Sequence, residues 1–187
     1  KNPTSNLAVT GIYLLTPRIF EIIDNLKPSW RNELEITDAL DNLLKQNNKI
    51  SFEKITDYWK DTGTPEDIIH ANGEIIKKTL EQSKKNKNEH LIGMDSIVES
   101  NVEIIEPVVI GKNCHISTGS SIGPNVSVGD NTTISVSSIE NSIIMQNCKI
   151  NSDTKIENSI IASNSEIKDE SGMKKIFLLG EGSKVSL

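Results

Sequence analysis

The stretch Ile104-Ile105-Glu106-Pro107-Val108-Val109-Ile110-Gly111-Lys112-Asn113-Cys114-His115-Ile116-Ser117-Thr118-Gly119-Ser120-Ser121-Ile122 places an isoleucine at every sixth position. The series runs on in both directions, from Ile92 and Val98 before it to Val128 and Ile134 after it. Near Ile139 the phase slips, and it resumes at Ile144, Ile150 and Ile156 and then at Ile161 and Ile167. Four residues beyond an anchor the side chain is often small or branched: Val102, Val108, Cys114, Ser120, Val126, Thr132, Cys148 and Thr154. Gly111, Gly123 and Gly129 follow their anchors directly, where a turn is expected to need positive φ. Each hexad reads as one short strand plus a turn. Three hexads make a triangular coil, and coils stack at the strand spacing of about 4.8 Å. The anchors then point inward as aliphatic ladders, and the residues between them face out.

This pattern resembles the hexapeptide-repeat left-handed parallel β-helix, predicted here over residues 92–187. An open solenoid end must be capped, and Lys174–Leu187, with Ile176-Phe177-Leu178-Leu179, is expected to cap it or add a terminal strand. Cys114 and Cys148 fall on small inward positions and read as packing residues. With no further cysteines to form a disulfide framework or zinc cluster, they point to a reducing, cytoplasmic setting. His115 falls at an outward position. Hexapeptide β-helices also carry acyltransferases that use a histidine base in a walled groove, but the hexads from Ile92 to Ile134 contain no inserted loop to wall one. An assembly or regulatory role is therefore expected for 92–187, with its faces forming a homo-oligomer, a trimer being one arrangement.

Upstream the pattern changes to alternating strand and helix. Ala8–Leu15 reads as a strand, and Thr16-Pro17 as a helix cap and first-turn proline before Ile19, Phe20, Ile23 and Leu26. Lys27-Pro28-Ser29 breaks that helix. A second helix is predicted from Glu33 to about Lys45, with Ile36, Leu40, Leu43 and Leu44 on its apolar face. Lys49–Trp59 reads as extended. A third helix is capped by Thr64 and starts at Pro65, with Glu66 and Asp67 beside the positive end of its dipole and with Ile68, Ile69, Ile75, Ile76 and Leu80 buried. Gln82–Glu89 holds no apolar residue, so 82–91 is expected to be a linker between an α/β segment (1–81) and the β-helix.

The 187 residues carry 20 Lys+Arg against 26 Asp+Glu, a net charge of −6. That balance argues against a general nucleic-acid binder. No apolar run is long enough for a membrane-spanning helix. The absence of an initiator Met suggests a piece of something longer.

Three segments go beyond a generic α/β reading. Asn6-Leu7-Ala8-Val9-Thr10-Gly11-Ile12-Tyr13 resembles the sugar-binding strand of the glucose-1-phosphate thymidylyltransferase family. Lys27-Pro28-Ser29-Trp30-Arg31-Asn32-Glu33-Leu34-Glu35-Ile36-Thr37-Asp38 is similar to that family's K-P-S-x-R-G-E-L-E-I-T-D, and Trp59-Lys60-Asp61-Thr62-Gly63-Thr64 to its W-x-D-T-G-T. With the β-helix and the ending Leu179–Leu187, the chain resembles the C-terminal half of the family's long form, a Rossmann-like nucleotidyltransferase domain followed by a β-helix. The resemblance implies an enzyme that joins a nucleoside triphosphate to a sugar 1-phosphate with Mg²⁺ and releases pyrophosphate. It implies Asp61 as a catalytic carboxylate and metal ligand, Val9, Thr10, Gly11 and Tyr13 at the sugar, and Arg31 on phosphate, which suits a guanidinium fork. Gly63, like Gly11, matches a position where a side chain would obstruct the site. Asn32 departs from the family's glycine, although Asn tolerates left-handed geometry. The family's nucleotide loop, first metal Asp and Glu-Lys-Pro segment have no counterpart in this sequence, so the 187-residue chain by itself is expected to be inactive. A Mg²⁺-dependent release of pyrophosphate by it would overturn that expectation.

Overall fold

A computed structural model describes residues 5–85, 91–169, 178–179 and 184–186. The chain divides into two units, Lys1–Asp57 and Tyr58–Leu187.

The first unit holds two helices, α1 (Arg18–Ile23) and α2 (Ile36–Lys45). Ile19 and Ile22 of α1 pack on Ala39 and Leu43 of α2, with Ile23, Leu26, Ile36 and Leu40 around them. Pro17 starts α1, where its fixed φ suits a first turn. The Thr16 side chain makes no cap; its carbonyl accepts the Ile19 N–H at 3.1 Å instead. The buried faces differ from those expected by one step. Ile22 and Ala39 are inside, whereas Phe20 and Leu44 are exposed. α2 begins at Ile36 rather than Glu33, because Ser29–Glu35 form a hydrogen-bonded loop. The strand expected at Ala8–Leu15 does not form, and Lys49–Trp59 joins no ladder. Both segments have strand-like composition, but a strand also needs a neighbour for its N–H and C=O groups, and the described residues of this unit offer none.

The second unit opens with α3 (Pro65–Lys85) and continues as a parallel-strand solenoid of about five turns. One face stacks β1 (Leu91–Ile92), β4 (Val108–Ile110), β7 (Val126–Val128), β9 (Ser142–Ile144), β11 (Ile160–Ile161) and β13 (Leu178–Leu179). A second stacks β2 (Ile97–Val98), β5 (His115–Ile116), the start of β8 (Thr133–Glu140), the start of β10 (Lys149–Glu157), β12 (Glu166–Asp169) and β14 (Lys184–Ser186). The third joins β3 (Glu103–Ile104) and β6 (Ser121–Ile122) to the ends of β8 and β10. This is the predicted β-helix. Of the expected tail, Leu178–Leu179 and Lys184–Ser186 continue the ladders in parallel, while 170–177, 180–183 and 187 lie outside the described residues.

The anchors stack in register. Val98, Ile116, Ile134, Ile150 and Ile167 form one ladder, and Ile116, Ile134, Ile150 and Ile167 are each at most 1% exposed. The phase slip has a structural cause: β8 and β10 run straight through a corner that other coils turn. Ile134 and Ile139 therefore lie five residues apart on one strand, on two faces.

On one corner the residues four beyond the anchors form a hydrogen-bonded column. Ser96 Oγ accepts the Cys114 N–H at 2.9 Å, and Thr132 Oγ1 accepts the Cys148 N–H at 3.2 Å. The thiols of Cys114 and Cys148 lie 3.2 Å from the carbonyls of Gly129 and Ala162. Both cysteines are buried and unbridged, and burial pushes the Cys148 thiol above its ordinary pKa. A thiol reagent such as DTNB is accordingly expected to titrate neither cysteine in the native chain and both after denaturation; reaction in the native state would contradict the packing role.

Turn chemistry is corrected in one respect. Gly123 has φ +112, as expected, but Gly111 and Gly129 do not have positive φ. They are glycines because coils approach closely: a Cβ at Gly111 would lie 2.7 Å from the Asp130 amide nitrogen, and one at Gly129 2.5 Å from that of Gln146. Asparagines take most of the left-handed positions. Asn113, Asn131, Asn147 and Asn164 have φ between 54° and 63°, and each amide nitrogen of the first three donates to the next oxygen at 3.1–3.2 Å. The short polar side chain makes this geometry tolerable, and the amide ladder ties coil to coil.

The first face is apolar outside as well as inside. Val109, Ser127, Ile143 and Ile160 stand in register on its outer side. α3 packs on β7 and β9 there, burying Ile69, Ile76 and Leu80, each worth about 1.5–3 kcal/mol. Ile68 and Ile75, expected inside, are 40% and 61% exposed. Ser127 Oγ donates to Asn72 Oδ1 at 2.6 Å. The helix continues to Lys85, so the start of the expected 82–91 linker is helical; 86–90 lie outside the described residues.

Candidate functional site

The candidate residues fall in both units. In the first, Val9, Gly11 and Tyr13 sit on an exposed, irregular segment, with Thr10 half-buried. Gly11 has φ +79, which favours glycine, and a Cβ there would meet no atom within 4 Å. Its requirement in this chain is thus conformational rather than one of space. Arg31 lies on the loop before α2. Its guanidinium sits 5.1 Å from the Trp30 ring centroid, a cation–π contact that leaves the charge exposed.

Ser29, which the sequence reading placed in a helix-breaking motif, organises that loop. Its N–H donates to the Glu33 carbonyl at 2.8 Å, its hydroxyl donates to Glu35 Oε1 at 2.6 Å and accepts the Arg31 N–H at 3.1 Å, and its carbonyl accepts the Asn32 N–H at 2.9 Å. Asn32 has φ +62. The turn therefore keeps the left-handed geometry that glycine would give, and the departure from the family pattern is absorbed.

Asp61 belongs to the second unit, just ahead of α3. Thr64 caps that helix: its hydroxyl accepts the Asp67 N–H at 3.2 Å and donates to Asp67 Oδ2 at 2.8 Å. Asp61 is consequently free of the capping task that a lone Asp in a turn often performs. Its carboxylate is exposed, with Gly63 as a side-chain-free neighbour. Asp67 also pairs with Lys60 Nζ at 2.7 Å, so a salt bridge spans the turn that carries Asp61. The hydrogen bond from Lys60, then that from Thr64, holds the Asp67 carboxyl below the usual carboxylate range. The stabilisation is present above the unfolded-state pKa and is lost only as pH falls through the lowered folded value. Tyr58 adds a 3.2 Å contact between its hydroxyl and His70 Nδ1, which ties the approach to the turn onto α3.

Asp61 offers a divalent cation one hard oxygen. Among the described residues no group of three or more His, Cys, Asp or Glu side chains could hold a metal. A single carboxylate of this kind is one possible ligand for a hard cation and not a cage.

His115, the candidate of the acyltransferase alternative, is engaged with Glu99. Its Nε2 lies 2.6 Å from Glu99 Oε1, while Glu99 Oε2 accepts the Thr118 N–H at 2.8 Å. The Thr118 amide, then His115, lowers the Glu99 pKa. The pair fastens one coil to the next.

Residues 1–78 match the nucleotidyl transferase family, and residues 104–186 match the GMPPB C-terminal domain. Together these matches support membership of the sugar nucleotidyltransferase family. Similar proteins include the low-salt glycan biosynthesis nucleotidyltransferase Agl11 of Haloferax volcanii, 33% identical over 80% of this chain and 44% of that protein. A glucose-1-phosphate thymidylyltransferase of Streptomyces antibioticus is 36% identical over 78% of this chain and 42% of its own length. The bifunctional protein GlmU of Methanococcus aeolicus is 39% identical over 80% of this chain and 38% of that protein. The chain thus spans less than half the length of these relatives. Among the described residues, no helix is long and apolar enough to cross a membrane.

Proposed function

We propose that the chain is part of a cytoplasmic sugar-1-phosphate nucleotidylyltransferase of the long form, which joins glucose 1-phosphate to dTTP and releases dTDP-glucose and pyrophosphate. The observation that carries this reading is the Trp59–Asp67 turn. It presents Asp61 uncapped and exposed beside Gly63, while Thr64, Asp67 and Lys60 do the structural work. Support also comes from the order of the three motif segments and from the β-helix that follows them.

In this reading Asp61 contributes one carboxylate to bound Mg²⁺, which neutralises phosphate charge. Arg31 holds a phosphate oxygen through its guanidinium fork. Val9 and Tyr13 line the sugar, and Thr10 and Gly11 bring backbone close to it. Rate enhancement then comes from positioning and charge neutralisation rather than from a covalent intermediate. The test is pyrophosphate release by the complete enzyme with dTTP or UTP and a panel of sugar 1-phosphates. Preference for dTTP with glucose 1-phosphate is expected; preference for UTP or another sugar would replace the assignment.

The β-helix serves assembly in the same reading, giving a homo-oligomer, with a trimer as the arrangement to test first. Light scattering should return a multiple of the chain mass, and a monomer at all concentrations would overturn it.

A further inference from the structure

The second unit contains a cleft of about 470 Å³ between α3 and one corner of the β-helix, within the usual size range of small-molecule sites. We propose that this cleft binds a small phosphorylated sugar, at a place distinct from the residues assigned to the proposed reaction.

The helix wall carries His70, Glu74 and Lys77, spaced so that all three face the same side of α3. The opposite wall is a column of asparagines from successive coils, Asn125, Asn141 and Asn158, at φ 58°, 43° and 49°. Asn125 Nδ2 donates to Asn141 Oδ1 at 2.8 Å. There the amide chain stops. On the other corner the same kind of column bonds on to its last member, but among the described residues Asn141 makes no bond to Asn158. The cleft edge therefore keeps amide donors and acceptors without protein partners. Gly73 leaves space for this column: a Cβ there would already lie 3.2 Å from Asn125 Oδ1. Ile69 and Pro107 supply an apolar strip beside the polar groups.

Amides that both donate and accept, with two carboxylates and an apolar strip, match a ring with hydroxyls on its edge and C–H groups on its face. Lys77 supplies a positive charge for a phosphate, and the His70 ring lies beside it as a polar neighbour. Glu66 and Glu74 also border the cleft. That mixed charge disfavours a bare multivalent anion and fits a hydroxyl-rich ligand with one phosphate.

The experiment titrates glucose 1-phosphate, and separately inorganic phosphate, into the ¹⁵N-labelled 187-residue chain. Saturable shifts are expected for residues 70–77 and for the side-chain amides of Asn125, Asn141 and Asn158. Lys77→Ala should weaken glucose 1-phosphate at least about tenfold, the scale of one charged hydrogen bond, and Asn141→Ala should weaken it too. Tyr13→Ala should leave these shifts unchanged, which separates the cleft from the proposed sugar site. No shift at about 20 mM, shifts confined to residues 9–13 and 31, or an unchanged affinity in Lys77→Ala would overturn the proposal. Equal binding of inorganic phosphate would overturn the sugar assignment. Failure here leaves the turnover test of the complete enzyme untouched.

Discussion

The complete enzyme carrying Asp61→Asn is expected to lose about 10²–10³-fold in kcat for pyrophosphate release, with its melting temperature unchanged. The size follows from removing one preorganised electrostatic group from a transition state that spreads negative charge. The unchanged stability follows from the turn's geometry. Asp61 is exposed and makes no cap, so the amide leaves no buried group unsatisfied, and such surface changes usually stay within about 0.5 kcal/mol. Asp67→Asn provides the contrast. It removes the Lys60 pair and weakens the Thr64 cap, so it should loosen the turn and reduce kcat less while lowering stability. Full activity in Asp61→Asn would end the metal-ligand assignment. A parallel loss of stability would mean that Asp61 holds the turn rather than the reaction.

The largest effect on stability is expected from Ile134→Ala, about 2–5 kcal/mol, read from urea denaturation. Ile134 is 0% exposed and lies in ladder register between Ile116 and Ile150. The hydrogen-bonded rungs on either side hold the cavity open, so collapse cannot recover much of the loss. Ile92 occupies the same kind of position but is 39% exposed at the first coil, and Ile92→Ala should cost under about 1 kcal/mol. Equal costs at the two positions would show that the ladder is not the core.

The solenoid was legible because its period is short, long repeated and enforced by stacking. One residue per hexad has no freedom, and eight from Ile92 to Ile134 advertise it. What escaped was whatever depends on a second surface. Val109, Ile143 and Ile160 stand beside anchors as apolar doublets and mark a face covered from outside as well as inside; that signal was in the sequence, masked by the regularity of its neighbours. Ile68 and Ile75 could not be told from Ile69 and Ile76 without knowing which face of α3 meets that surface. Gly111 and Gly129 were legible as special, but close approach and positive φ give the same letter. Asn32 was legible for the opposite reason, since one residue type predicts one conformation, and φ +62 follows. The 8–15 and 49–59 segments carry strand composition, but pairing depends on a partner, and local pattern cannot supply one. The site residues came from motif order alone. Ser29 and Lys60 organise their loops through hydrogen bonds that no spacing rule foretells.

A stack of coils touching only nearest neighbours behaves like a row of coupled units, free to fray from either end and to break between any two. α3 changes that. Lying against β7 and β9, with its cleft edge reaching asparagines on three successive coils, it acts as a splint across the row. Separating adjacent coils in the middle of the stack then requires stripping a helix from several at once. The coils beneath the splint are bound into a single cooperative block, and fraying is left to the coils beyond it.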